Sequence, residues 1–130
     1  MNSLLFMDFS KVAFNYTGKV QIPAGDRLLQ LLDIRDHEDV LDLGCGNGKL
    51  TSKIRTLTRG RVVGIDVSEK MIDLARKCKG IEFHVLSAED MSFHEEFDVI
   101  FCNSAFQWFD PHVVLPTCYD ALKSEGRIGV

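Results

Sequence analysis

Residues 40–49 read V-L-D-L-G-C-G-N-G-K, and the architecture of the chain follows from them. A short apolar run ends on Asp42, and glycines at alternate positions, Gly44, Gly46 and Gly48, then carry the backbone into Leu50-Thr51-Ser52-Lys53-Ile54. This pattern is a strand, a glycine-rich loop and a helix start. Glycine is needed where the backbone takes positive φ, or where a ligand must approach without a Cβ in the way. The helix that follows offers free N–H groups and the positive end of its dipole to an electronegative group. The loop therefore reads as the seat of a small ligand, the alternative being a tight turn that holds nothing.

Working outward, the polar run Arg35-Asp36-His37-Glu38-Asp39 is a break before this strand. Upstream, residues 21–32 place Ile22, Ala24, Leu28, Leu29, Leu31 and Leu32 at the spacing of an amphipathic helix, with Pro23 tolerated in a first turn. Residues 2–16 mix aromatic and polar side chains and suit one or two short helices. Downstream the pattern alternates. Helix 49–57 is followed by strand 62–65, helix 68–78, strand 81–86, a loop with one helical turn, strand 97–102, helix 111–122 and a strand from 127. Ser68 suits an N-cap, and Gly80 and Gly126 are placed to close the helices before them. Strands apolar on both sides, alternating with amphipathic helices, imply an α/β parallel sheet covered on two faces. Ligands of such sheets bind beyond the carboxyl ends of the strands, where strand order reverses.

Composition narrows the function. With 130 residues and 45% hydrophobic content the chain forms one domain, 1–130, with a helical cap over 1–38 and a core over 39–130. A formal net charge of −4 and the lack of a basic cluster argue against nucleic-acid partners. Cys45, Cys78, Cys102 and Cys118 form no C-x-x-C pair and sit in or beside apolar runs, which points to buried thiols and to no metal. No stretch is long enough for a membrane span, and Asp8 interrupts any leader pattern, so a cytoplasmic location is expected.

Four strand ends carry the polar chemistry. Lys49 occupies the place where a dinucleotide loop would have a small residue, which disfavours a nicotinamide cofactor. Asp66 ends the second strand, about twenty residues beyond the loop, where a carboxylate can accept both hydroxyls of a ribose through charge-assisted bonds. Its alternative role is at the start of the next helix, in partnership with Ser68. Ser87-Ala88-Glu89-Asp90 follows the third strand, and Asn103-Ser104-Ala105-Phe106-Gln107-Trp108 follows the fourth. Phe106 and Trp108 fit core packing as well as ligand contact. His37, His84, His94 and His112 have loop, strand, loop and helix-start contexts; only His112, after Pro111, stays in view as a base, and a helix-start position on the surface accounts for it.

With these four positions in register the chain resembles the class I S-adenosylmethionine-dependent methyltransferases. The matching residues are D-L-G-C-G-N-G at 42–48, G-I-D-V-S-E-K-M-I-D-L-A-R at 64–76, A-E-D at 88–90 and F-D-V-I-F-C-N-S-A-F-Q-W at 97–108. N-S-A-F-Q-W-F at 103–109 and F-S-K-V-A-F-N-Y-T-G-K-V-Q at 9–21 are similar to the malonyl-carrier-protein and trans-aconitate carboxyl methyltransferases. The resemblance implies a Rossmann-like doubly wound parallel sheet with five strands present in the order 3-2-1-4-5, helices on both faces, and further C-terminal strands missing.

By position, the resemblance implies that Gly44, Cys45 and Gly46 meet the amino acid portion of S-adenosylmethionine, with Asp42 orienting their loop. Asp66 would bind the ribose, Val67 and Met71 would flank the adenine, and Ala88 and Glu89 would meet its edge. Asn103, through its carbonyl, and Ser104 would lie near the sulfonium end, with Tyr16 and Gln21 covering the site. Ser87 stands where many relatives have an aspartate that holds the adenine amino group. Val130 reads as a truncation, which would leave the last strand an open edge inclined to self-association. The expected activity is methyl transfer to a small-molecule or carrier-bound acceptor, with S-adenosylhomocysteine as product. A carboxylate acceptor suits the lack of a general base. The competing readings are an S-adenosylmethionine-binding protein without turnover and an NAD-type oxidoreductase.

Overall fold

The computed structural model describes residues 23–103 and 108–130. The helices expected within 2–16, the first residues of the helix expected from Gln21, and Tyr16, Ser104 and Phe106 lie outside them. The described elements run α1 (Ala24–Leu32), β1 (Val40–Leu43), α2 (Lys49–Leu57), β2 (Val62–Asp66), α3 (Glu69–Ala75), β3 (Glu82–Val85), β4 (Phe97–Phe101), α4 (Pro111–Ala121) and β5 (Leu122–Gly129). All strand pairs are parallel and the order is β3-β2-β1-β4-β5. The expected sheet and its order hold. The chain leaves central β1 in one direction towards β2 and β3 and returns past it to β4 and β5, so a crevice opens between the loops that follow β1 and β4.

The two-residue period of the strands sorts the core into two layers. Leu41, Leu43, Val63, Ile65, Ile100 and Ile128 face Val114, Cys118 and Ala121 of α4. Val40, Val62, Val99 and Phe101 face Leu28, Leu29 and Leu32 of α1 and Ile54 of α2. At the β3 margin, Ile72 and Ala75 of α3 close over Cys45 and Phe83. β3 departs from the expectation of strands apolar on both sides, since only Phe83 within it is buried.

Two helix ends differ from the sequence reading. α3 stops at Ala75, and the Lys77 and Cys78 amides fall back on the Leu74 and Ala75 carbonyls at 3.3 and 2.8 Å in tighter, three-residue turns. Gly80, at φ 76°, lies beyond these turns and does not close α3. Gly126 does not close α4 either. The chain passes directly from Ala121 into β5 at Leu122, well before the expected start at 127. Leu122 pairs with Phe97 and Arg127 with Val99, so the residues between them bulge out of the ladder. A Cβ on Gly126 would lie 2.8 Å from the Lys123 carbonyl oxygen, which explains glycine inside this bulge.

The polar stretch before β1 is a structural floor. Glu38 is only 7% exposed. It accepts two bonds of 2.8 Å from the Arg127 guanidinium, which also donates to the Leu32 carbonyl at 3.0 and 2.8 Å. Lys123, in the bulge, reaches Asp39 at 2.7 Å and Asp98 at 3.2 Å. Arg61 pairs with Glu82 and Glu96 on the two flanking segments.

Replacing Arg127 by Met leaves the Glu38 carboxylate nearly dry, without its counter-charge and with the Arg35 amide at 2.7 Å as its remaining partner, and is expected to lower the unfolding free energy at pH 7 by about 3 kcal/mol, read by urea denaturation. The Arg127 guanidinium holds Glu38 below its ordinary value of 4.5. This contribution is therefore full above that value and fades as pH falls through the lowered one, so wild type and Arg127→Met converge in acid.

Candidate functional site

Beyond the carboxyl ends of the strands lies a cavity of about 340 Å³ lined by Gly44, Ile65, Asp66, Val67, Leu86, Ala88, Asn103, Trp108 and Phe109. Residues from four separate strand ends thus converge, although they lie far apart in sequence. Gly44, Asp66, Val67, Ala88 and Asn103 are among the residues selected from sequence. Asp42, Cys45, Gly46, Met71, Ser87 and Glu89 are outside the lining, and Tyr16, Gln21 and Ser104 are outside the described residues.

The loop after β1 turns through Gly44 at φ 68° and Gly46 at φ 57°. A Cβ on Gly46 would meet nothing within 4 Å, so glycine there answers the backbone conformation and leaves open space above it. Gly48, at φ 84°, adds a second need to the same backbone conformation. A Cβ on it would lie 3.1 Å from that of Ala75 and 3.3 Å from the Phe83 ring, so it allows the loop to pack closely on α3 and β3.

Asp66 takes the second of the roles considered for it, at the start of the next helix, and also braces the glycine loop. Its Oδ2 accepts the Gly46 amide at 2.9 Å and its Oδ1 accepts the Ser68 amide at 2.8 Å. Each oxygen keeps a further lone pair. Ser68 caps α3, its hydroxyl accepting the Met71 amide at 3.2 Å. The loops after β1 and β2 are therefore tied by one carboxylate.

Asp42 lies beneath the loop, 2% exposed, with its Oδ2 accepting the Thr51 hydroxyl at 2.7 Å. Burial raises its carboxyl to about 7, against the lowering effect of the Thr51 bond and with a further push from the Asp66 charge. Burial, then the Asp42 and Asp66 charges, likewise hold the Cys45 thiol above its ordinary range. Thr51, the partner of Asp42, carried no signal beyond its place in α2.

The turn after β3 is closed from within. Ser87 donates its hydroxyl to Asp90 Oδ2 at 3.0 Å, and the Asp90 amide returns to Ser87 Oγ at 3.1 Å. Ala88 is 2% exposed, and its carbonyl accepts the Thr117 hydroxyl of α4 at 2.9 Å. Asn103 follows β4. Its side-chain Oδ1 is buried without a hydrogen-bond partner among the described residues, and a Cβ on Gly25 of α1 would lie 3.1 Å from its Nδ2. Trp108, 79% exposed, stands at the rim and is not core, whereas Phe109 packs on the main cluster. Ile65, Leu86 and Phe109 were not singled out from sequence, although the first two adjoin Asp66 and Ser87. His112 is exposed at the start of α4, its amide capped by Asp110 at 3.0 Å, and does not line the cavity. Among the described residues no group of three or more His, Cys, Asp or Glu could hold a metal ion, and no helix is long and apolar enough to cross a membrane.

The residues fit S-adenosylmethionine, the cofactor that the resemblance implies. Among the described residues Asn103 Oδ1 is a buried acceptor without a donor and nothing lies over Gly46, Asp66 has free lone pairs, and the cavity is of a size that takes small ligands.

Comparison with known proteins agrees. The model of a family described as "Methyltransferase domain" matches residues 40–126. A malonyl-[acyl-carrier protein] O-methyltransferase of Acetivibrio thermocellus is 35% identical over 95% of this chain and 47% of its own length. A protein of the same name from Bacillus cereus is 31% identical over 83% of this chain and 44% of its own. The chain thus spans about half the length of the curated relatives it matches. Among solved structures, an S-adenosylmethionine dependent methyltransferase from Mesorhizobium loti superposes with a TM-score of 0.73 at 25% identity, over 78% of this chain and 50% of that one.

Replacing Asp42 by Asn preserves an acceptor for Thr51 and removes the buried ionisation. Because the folded value of about 7 exceeds the ordinary 3.8, the native state holds this proton more tightly, and wild-type stability is lost as pH rises across that window. The Asp42→Asn variant is expected to gain on wild type between about pH 4 and pH 7 and to hold a constant lead above, as measured by urea denaturation over a pH series.

Proposed function

The chain belongs to the methyltransferase domain family, and from that premise we propose that it binds S-adenosylmethionine in the crevice beyond β1, β2 and β4 and serves methyl transfer to a carboxylate, carried on a small molecule or a carrier protein. The observation that carries this reading is the convergence of Gly44, Asp66, Ala88 and Asn103 on one cavity. When bound, this cofactor supplies a methyl group already activated on a sulfonium.

The protein's own contribution is to bind, align and exclude water. Asp66 presents its outward lone pairs to the ribose hydroxyls, while the Gly46 and Ser68 amides fix the carboxylate in place. The open side of Gly46 leaves room for the amino acid portion, and Asn103 Oδ1 gains a donor. Val67 and Leu86 flank the base and Ala88 meets its edge, with Met71 beside them on the exposed side of α3. Trp108 and Phe109 screen the mouth of the cavity.

Two points support a carboxylate as acceptor. Among the described residues lining the cavity, Asp66 is the one titratable side chain, and it is engaged by two amides. A carboxylate is already anionic at neutral pH and needs no proton removed, whereas an amine or hydroxyl needs a base. The second point is the name carried by the relatives from Acetivibrio thermocellus and Bacillus cereus, which specifies an O-methyl transfer on a malonyl carrier protein.

Calorimetry with S-adenosylhomocysteine tests the cofactor, and a methyl-transfer screen of free and carrier-bound carboxylic acids against amines tests the acceptor. Binding of NAD in place of S-adenosylhomocysteine would overturn the proposal. Asp66→Ala is expected to weaken S-adenosylhomocysteine binding by about 1–3 kcal/mol, the usual cost of a lost charged hydrogen-bonding group. Unchanged affinity in a folded variant would remove Asp66 from the ribose.

A further inference from the structure

We infer that Thr117, on α4, is a positioning residue that sets the nucleobase preference of the site by anchoring the turn after β3. The inference rests on the proposal that an adenine lies against Ala88.

The Ser87–Asp90 turn is closed by its own hydrogen bonds, which give it an internal shape without placing it against the sheet. Ala88 and Met91 seat the turn in the core, and two bonds to other elements fix its orientation. The Leu86 amide donates to the Asp66 carbonyl at 3.0 Å, fixing where the turn begins. The Thr117 hydroxyl then donates to the Ala88 carbonyl at 2.9 Å, sharing its proton with the Val114 carbonyl at 2.8 Å. Because a trans peptide is planar, directing the Ala88 carbonyl at α4 points the next amide, that of Glu89, the opposite way. Thr117 therefore fixes how the Ala88–Glu89 peptide is oriented beside the lining residue Ala88, although neither Thr117 nor Glu89 lines the cavity itself.

Orientation matters here because the edges of purines differ in polarity. Adenine presents an amino donor beside a ring acceptor, and hypoxanthine presents the reverse. A backbone edge discriminates between them only while its groups are held in place, since a mismatch then leaves a polar group unpaired. A turn released from α4 could tilt to suit either base.

The test is calorimetry of the full chain with S-adenosylhomocysteine and with S-inosylhomocysteine, alongside urea denaturation. Thr117→Val keeps the shape and removes the hydroxyl, and Thr117→Ser restores it. The expected result is that Thr117→Val weakens S-adenosylhomocysteine binding about five- to tenfold and lowers the preference for it over the inosine analogue. Thr117→Ser is expected to keep both near wild type. Thr117→Ala gives the same readout should the valine variant not fold. A preference unchanged in Thr117→Val, whether or not stability falls, overturns the inference. Failure of wild type to bind S-adenosylhomocysteine would overturn the cofactor proposal beneath it, a result visible before any variant is made.

Discussion

The bond between the Asp66 carboxylate and the Gly46 amide is the constraint on which the site depends. The loop after β1 passes through positive φ at Gly44 and Gly46, and such a turn has few ladder bonds of its own to keep it in shape. β1 and β2 pair in register up to Leu43 and Ile65, and the Cys45 amide extends the ladder by one bond of 2.9 Å to the Ile65 carbonyl. Asp66 is the next residue of β2, so its side chain meets the loop where the backbone ladder ends. Its other oxygen holds the Ser68 amide at the start of α3. A charge-assisted pair of this kind is stronger than two neutral bonds, and it makes the loop, the end of β2 and the entry to α3 a single unit.

The amino end of the sheet is organised by different physics. There Arg61 joins Glu82 and Glu96 through ion pairs whose side chains are a third or more exposed, and Lys123 joins Asp39 and Asp98. Exposed pairs contribute about 0–1 kcal/mol each. Arg127 with Glu38 is the exception, because both side chains are largely withdrawn from water and the guanidinium also satisfies the end of α1 through the Leu32 carbonyl. Fold-holding charge thus gathers at one end of the sheet, and the polar groups around the cavity lie at the other.

This division explains what could be read from the chain. β1 and α2 were visible to the residue because the change from apolar run to glycine loop to helical spacing is local, and Asp66 and Ala88 were visible as the residues next to apolar strands. The start of β5 was hidden, because Lys123, Ser124 and Glu125 form a bulge whose polarity imitates a loop, and Gly126 imitates a helix stop. Glu38 and Asp39 looked like solvated loop residues because their partners Arg127 and Lys123 arrive from the far end of the chain. Thr51 and Thr117 belong to the same class. Each is one hydroxyl in a helix, and its role depends on a carboxylate or carbonyl that only the folded chain brings within reach.

The polar groups around the cavity are largely satisfied by the protein itself. Asp42 is bonded by Thr51 and kept near neutrality by burial, Asp66 holds two amides, and Ser87 and Asp90 answer each other. A loop so satisfied keeps its shape with no ligand present, and a ligand that enters it loses less affinity to ordering the protein. Asn103 breaks the pattern. Its Oδ1 is buried with no hydrogen-bond partner among the described residues, a position that costs free energy. That acceptor belongs to the end of β4, opposite the glycine loop, so the unsatisfied polarity of the described crevice lies across from its most firmly braced side.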